Sequence, residues 1–112
     1  MTDAISEIRQ VASDLRIAND IAERSARALG PVLRDLKNAR LHARARVLDR
    51  DPKMRLPDVD MWVELDDGVS ALADQEIEIT WQLKAAKETS HSLRQILSAY
   101  QSTGRIEAEM SR

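Results

Sequence analysis

Asp51-Pro52-Lys53-Met54-Arg55-Leu56-Pro57 is the stretch that decides how this chain folds. Each proline removes a backbone donor and fixes φ, and the charged residues between them have nothing to gain from burial. The stretch reads as a break, and it falls near the middle of 112 residues. On either side lies a long segment with a sustained apolar repeat. Two helices of similar length joined by a short connection pack most economically as an antiparallel hairpin.

The first segment spans about 3–50. In heptads, its a positions are Ile5, Ala12, Asn19, Ala26, Leu33, Arg40 and Val47, and its d positions are Ile8, Leu15, Ala22, Leu29, Leu36, Ala43 and Arg50. All but Asn19, Arg40 and Arg50 are apolar, which is the pattern of a helix with one buried seam. Gly30-Pro31 interrupts its propensity but not its phase, because Ala26, Leu29, Leu33 and Leu36 keep their spacing. The expectation is one helix kinked at 30–31, with a stop and restart as the competing reading.

The second segment spans about 59–103, after a turn at 51–57. Its a positions are Trp62, Val69, Glu76, Leu83, Ser90 and Leu97, and its d positions are Leu65, Leu72, Ile79, Ala86, Leu93 and Tyr100. Asp66-Asp67-Gly68 weakens its early part, Gly104 is a plausible stop, and 105–112 is a tail. Pairing a with d across the hairpin sets Asn19 beside Leu93, Ala22 beside Ser90 and Ala12 beside Tyr100. It also puts Arg40 and Glu76 in adjacent layers, close enough for a diagonal ion pair, and sets Arg44 across from Asp66.

The expected fold class is therefore all-α: one helical domain, a long coiled-coil-like antiparallel hairpin completed as a four-helix bundle by self-association. The alternative is a three- or four-helix bundle within one chain, which requires breaks at Gly30-Pro31 and near 89–92. Charge supports the hairpin. Residues 34–55 carry a net of +5 and residues 58–78 a net of −8, and the fold places them side by side.

Composition narrows function. Lys and Arg total 17 against 19 Asp and Glu, so the chain as a whole is not a basic nucleic-acid binder. With no Cys there is no disulfide, thiolate metal site or Cys nucleophile. Three Gly and three Pro are too few for a Gly-rich phosphate loop or a turn-dense β-sandwich. No targeting segment and no membrane span is expected, and the expected location is cytoplasmic.

Candidate chemistry is thin. His42 and His91 fall off the seam and far apart, so they read as solvent-facing rather than as a metal pair. Asp66-Asp67 and Glu76-Ile77-Glu78 lack the alternating oxygen ligands of a cation loop. No catalytic residue, cofactor, metal or small-molecule substrate is expected, and the chain does not read as an enzyme. Arg34, Lys37, Arg44, Arg46, Arg50, Lys53 and Arg55 are candidate phosphate contacts, which makes a nucleic-acid accessory protein the alternative function. More informative are large apolar residues outside the seam: Ile17, Ile21, Leu41, Leu48, Ile77, Trp81 and Ile96. Such pairs at helical spacing mark a second packing surface. The expected function is protein–protein interaction or assembly, as structural subunit, adaptor or small inhibitor. The expected partner is a second copy or an obligate protein.

In length and layout, with Trp62 near the turn, the chain resembles the small secreted helical-hairpin proteins of type VII secretion. That likeness implies an exported helical effector as a further reading. The family's turn motif is Trp-x-Gly, where this chain has Trp62-Val63-Glu64. The family's tail places an acidic residue four after a Tyr, where Gly104 follows Tyr100. The likeness is one of architecture.

Overall fold

A computed structural model describes the backbone of residues 2–110 and the side chains of residues 4–104. Three helices account for the fold: α1 Thr2–Arg50, α2 Leu56–Glu64 and α3 Asp67–Met110. Among the described residues there is no strand. The chain is all-α and antiparallel, as the repeat and the Pro52–Pro57 break imply.

α1 runs unbroken through Gly30-Pro31. Pro31 donates no backbone hydrogen bond, but it is exposed, so its ring meets solvent rather than a neighbour. Gly30 eases the fit, because it lacks the Cβ that clashes with a following proline in a helix. Neither break required for the three- or four-helix bundle within one chain occurs, since α3 is also continuous through 89–92; the third helix comes from a break at Leu65-Asp66 instead.

The break comes elsewhere. The second segment is two helices, interrupted at Leu65-Asp66 rather than continuous from 59 to 103. Asp66 Oδ1 accepts the backbone N–H of Val69 at 3.1 Å, the bond of an N-cap residue to the third residue of its helix. Asp66 therefore starts α3. The connection is also shorter than 51–57. Met54 N–H donates to the Asp51 carbonyl at 3.1 Å, closing a turn with Pro52 in its favoured second place. Pro57 lies in the first turn of α2, where its missing donor costs nothing. At the far end α3 continues past Gly104 to Met110, so this glycine is a helix-interior residue and not a stop.

The chain forms two compact units. One combines residues 25–50 of α1 with α2 and residues 67–81 of α3. Its core is aliphatic: Leu36 and Ala43 of α1, Val59 and Val63 of α2, and Val69 of α3. Leu36, Val59 and Val69 are almost wholly enclosed. Because the helical phase restarts at Asp66, α2 buries Val59 and Val63 and leaves Trp62 and Leu65 exposed. Both were expected on the seam.

The other unit pairs residues up to 24 of α1 with residues from 82 of α3. Ser90 Oγ donates to Asn19 Oδ1 at 2.7 Å, and Tyr100 donates its hydroxyl to the Glu7 carboxylate at 3.0 Å. Rising numbers on α3 thus meet falling numbers on α1. Asn19 and Ser90 bond each other, where the expected layers gave them to Leu93 and Ala22. Among the described residues of this unit the buried hydrophobic ones are Ala18 and Ala86, while Leu15, Leu83, Leu93 and Leu97 are half-buried.

The buried face of α1 also differs from the heptad reading. The d residues from Ile8 to Ala43 are half-buried or buried and Arg50 is exposed, but their companions are Val11, Ala18, Ser25, Val32 and Ala39, not Asn19, Ala26, Leu33 and Arg40. Ala18 and Ser25, both small, are buried on that side.

Candidate protein interface

Two kinds of surface stand out, one apolar and one ionic. In the unit built from the chain ends, Ile17 and Ile21 form one wall of a groove and Gln82, Ala85 and Thr89 the other. The enclosed Ala18 and Ala86 make its floor, and its volume is about 340 Å³. The geometry follows from sequence. Ile17 and Ile21 are one turn apart on α1, and small residues on α3 leave space between the helices.

The second unit has its own groove, about 370 Å³, with Leu33, Leu36 and Leu41 of α1 facing Val63 of α2. Charges rim it. Arg40 donates Nε to Glu64 Oε1 at 2.9 Å and Arg44 lies 3.7 Å from Asp60. Beside Trp62 and Leu65, at a separate hollow, Arg46 donates to Asp66 Oδ2 at 2.7 Å. Glu76 lines this groove too, but the partner of Arg40 is Glu64, not Glu76. The partner of Asp66 is Arg46, not Arg44, and Arg44 turns to Asp60. These corrections share one cause. The second segment breaks at Leu65-Asp66, so α2 brings Asp60 and Glu64 against α1 and Asp66, at the start of α3, meets Arg46.

Asp66 does two jobs. One carboxylate oxygen caps α3 and the other holds Arg46 of α1. The Val69 N–H, and after it the Arg46 guanidinium, hold its carboxyl below the usual carboxylate range. Tyr100 is shifted the other way. Its hydrogen bond to Glu7 and the negative charge there raise its hydroxyl above the ordinary tyrosine value.

Of the apolar residues singled out by spacing, Ile17, Ile21, Leu41, Ile77, Trp81 and Ile96 are exposed, and Trp81 is the most open at 73%. Leu48 is not part of this surface; it packs against the aliphatic core. Among the candidate phosphate contacts, Arg44 and Arg46 face carboxylates of the same chain. Arg34, Lys37, Arg50, Lys53 and Arg55 are exposed. His42 and His91 are both exposed, and His91 Nε2 lies 3.2 Å from Gln95 Nε2. Among the described residues no group of three or more His, Asp or Glu is placed to hold a metal. No helix among them is long and apolar enough to cross a membrane.

Reading the repeat alone missed Leu33, Trp62 and Leu65 as exposed groove residues, because it assigned them to the seam. It also missed the part played by Ala18, Ala85 and Ala86, whose short side chains carry little hydropathy signal but shape the groove.

No protein-family model matches the chain, and no curated protein or solved structure matches it either.

Proposed function

We propose that this chain works by contact rather than catalysis, offering exposed apolar helical faces to a helical protein partner. The observation that carries the reading is the thin interior of the unit formed by residues up to 24 and from 82. Among its described residues the enclosed hydrophobic ones are two alanines, while Ile17, Ile21 and Ile96 remain in water. A buried methyl contributes about 0.8 kcal/mol, against an ordering cost of roughly 1–2 kcal/mol per residue. The half-buried leucines of the seam supply more, and they keep surface in reserve for a covering helix. Ile77 and Trp81, one turn apart on α3, add a second exposed pair in the other unit. Isolated exposed apolar residues are ordinary, but paired ones including a tryptophan mark interfaces.

Nucleic-acid binding through residues 34–55 is disfavoured by the ion pairs. Arg40, Arg44 and Arg46 are directed at Glu64, Asp60 and Asp66, and a polyanion would have to displace those carboxylates.

The test compares the wild type with Ile77→Lys/Trp81→Lys and with Ile17→Lys/Ile21→Lys. Circular dichroism should show retained helicity in each. Analytical ultracentrifugation and retention of host proteins on the immobilised chain should show a complex that at least one variant loses. A wild type that is monomeric at every concentration, retains no protein, and instead binds duplex DNA with steep salt dependence would overturn the proposal.

A further inference from the structure

One side of α3 interleaves apolar and acidic residues and holds no base. Asp74, Ile77, Glu78 and Trp81 stand at i, i+3, i+4 and i+7, so they share one face of the helix. All four are exposed, and Ile77 and Trp81 are each more than half open to water.

The charge of this face is one-sided. Residues 56–83 carry eight acidic side chains and no Lys, Arg or His. Asp60, Glu64 and Asp66 are engaged with Arg44, Arg40 and Arg46 of α1. Asp74 and Glu78 have no such partner among the described residues. They are one turn apart, a spacing at which like charges repel. The other positions three and four away from them are Ser70, Ala71, Gln75, Ile77, Trp81 and Gln82, so the helix supplies no cation to relieve the repulsion. Lys84, the first base beyond them, has Glu88 one turn further on.

An open indole, an aliphatic neighbour and two uncompensated carboxylates suit one kind of occupant. Lys and Arg pair with carboxylates and lie over aromatic rings, while their alkyl stems cover apolar surface. An anionic lipid surface or a nucleic acid would meet Asp74 and Glu78 with like charge. A second copy set patch to patch brings acids and no base. The apolar pair spans one helical turn, which matches the side-chain spacing of another helix laid alongside.

We infer that this face of α3 receives an amphipathic helix of a partner protein whose apolar stripe is flanked by Lys or Arg. The inference rests on the contact function proposed above and states the chemistry of the partner.

The probe is a fluorescein-labelled synthetic helix with a leucine stripe flanked by lysines, read by anisotropy beside a counterpart with glutamates in place of the lysines. The wild type should bind the lysine peptide, more weakly as salt rises, and should not bind the glutamate peptide. Asp74→Lys/Glu78→Lys should reverse that preference. Trp81→Ala should weaken binding about tenfold. Asp35→Lys/Asp49→Lys changes the net charge equally at exposed sites of α1 and should bind as the wild type does. Circular dichroism should show retained helicity throughout. Failure of the lysine peptide to bind, equal binding of both peptides, or equal losses in the two charge-reversed variants overturns the inference. Self-association of the wild type that Trp81→Ala abolishes also overturns it, by placing a second copy on this face. If the lysine peptide fails while a complex sensitive to Ile17→Lys/Ile21→Lys persists, the contact function stands without it.

Discussion

Leu33 and Leu36 provide the sharpest test of which face α1 buries. The heptad repeat makes them equivalent, one at a and one at d. The structure does not, for Leu36 is 1% exposed among Val59, Val63 and Val69, and Leu33 is 43% exposed at the edge of a groove. Leu→Ala removes three carbon groups, worth about 2.4 kcal/mol of transfer free energy when wholly buried. At Leu36 a closed void adds to this, so the expected loss is about 3–5 kcal/mol. At Leu33 a little over half of the side chain is covered and the gap opens to water, so the expected loss is about 1.4 kcal/mol. Urea denaturation of both variants at one protein concentration measures the difference, since association shifts apparent stability. Equal losses, or a larger loss at Leu33, would refute the assignment of the buried face and the core built on it.

The Arg40–Glu64 pair is about half exposed, so a cycle of Arg40→Ala and Glu64→Ala should give a coupling of about 0.2–1 kcal/mol. The same cycle with Glu76→Ala should be additive; measurable coupling there would restore the diagonal pair the repeat suggested. Asp66 has its carboxyl held below the usual range, so its contribution is complete above the unfolded value of about 3.9. That contribution disappears as pH falls through the lower folded value. Asp66→Asn should therefore flatten the acid limb of a thermal-stability profile, and an unchanged limb would count against the capping role. Pro31→Ala restores a backbone donor at an exposed helix-interior site and should stabilise by about 1–3 kcal/mol. A loss of stability would show that the proline is required there.

Sequence and structure agree where a signal is long and local. The repeat on either side of the Pro52–Pro57 break specified two antiparallel helical arms. Its phase through Ala26, Leu29, Leu33 and Leu36 foretold that α1 continues past Pro31. They part where the choice lies between adjacent helical faces. On α1 the d residues belong to two possible stripes, one shared with Leu33 and Arg40 and one with Val32 and Ala39. Hydropathy leans to the second, which has Val32 and Ala39 where the first has Leu33 and Arg40, but the heptad reading followed the larger side chains Ile5, Leu33 and Val47 instead. On α2 the pairs Val59–Val63 and Trp62–Leu65 are both helically spaced, and nine residues are too few for periodicity to rank them. The interface candidates fared unevenly for the same reason. Ile77 and Trp81 are far from any seam and emerged exposed, whereas Leu48 lies next to Val47 at the seam's edge and was drawn into the core.

By itself, then, the sequence determined the class of structure and the direction of the arms. Those are properties of local propensity and spacing. The tertiary structure decided which face of each helix is buried, which carboxylate each arginine meets and where the groove opens. A one-residue shift in phase changes all three; on the second segment Asp66 sets it by starting a new helix, and on α1 it shows as burial of Ala18 and Ser25 in place of Asn19 and Ala26.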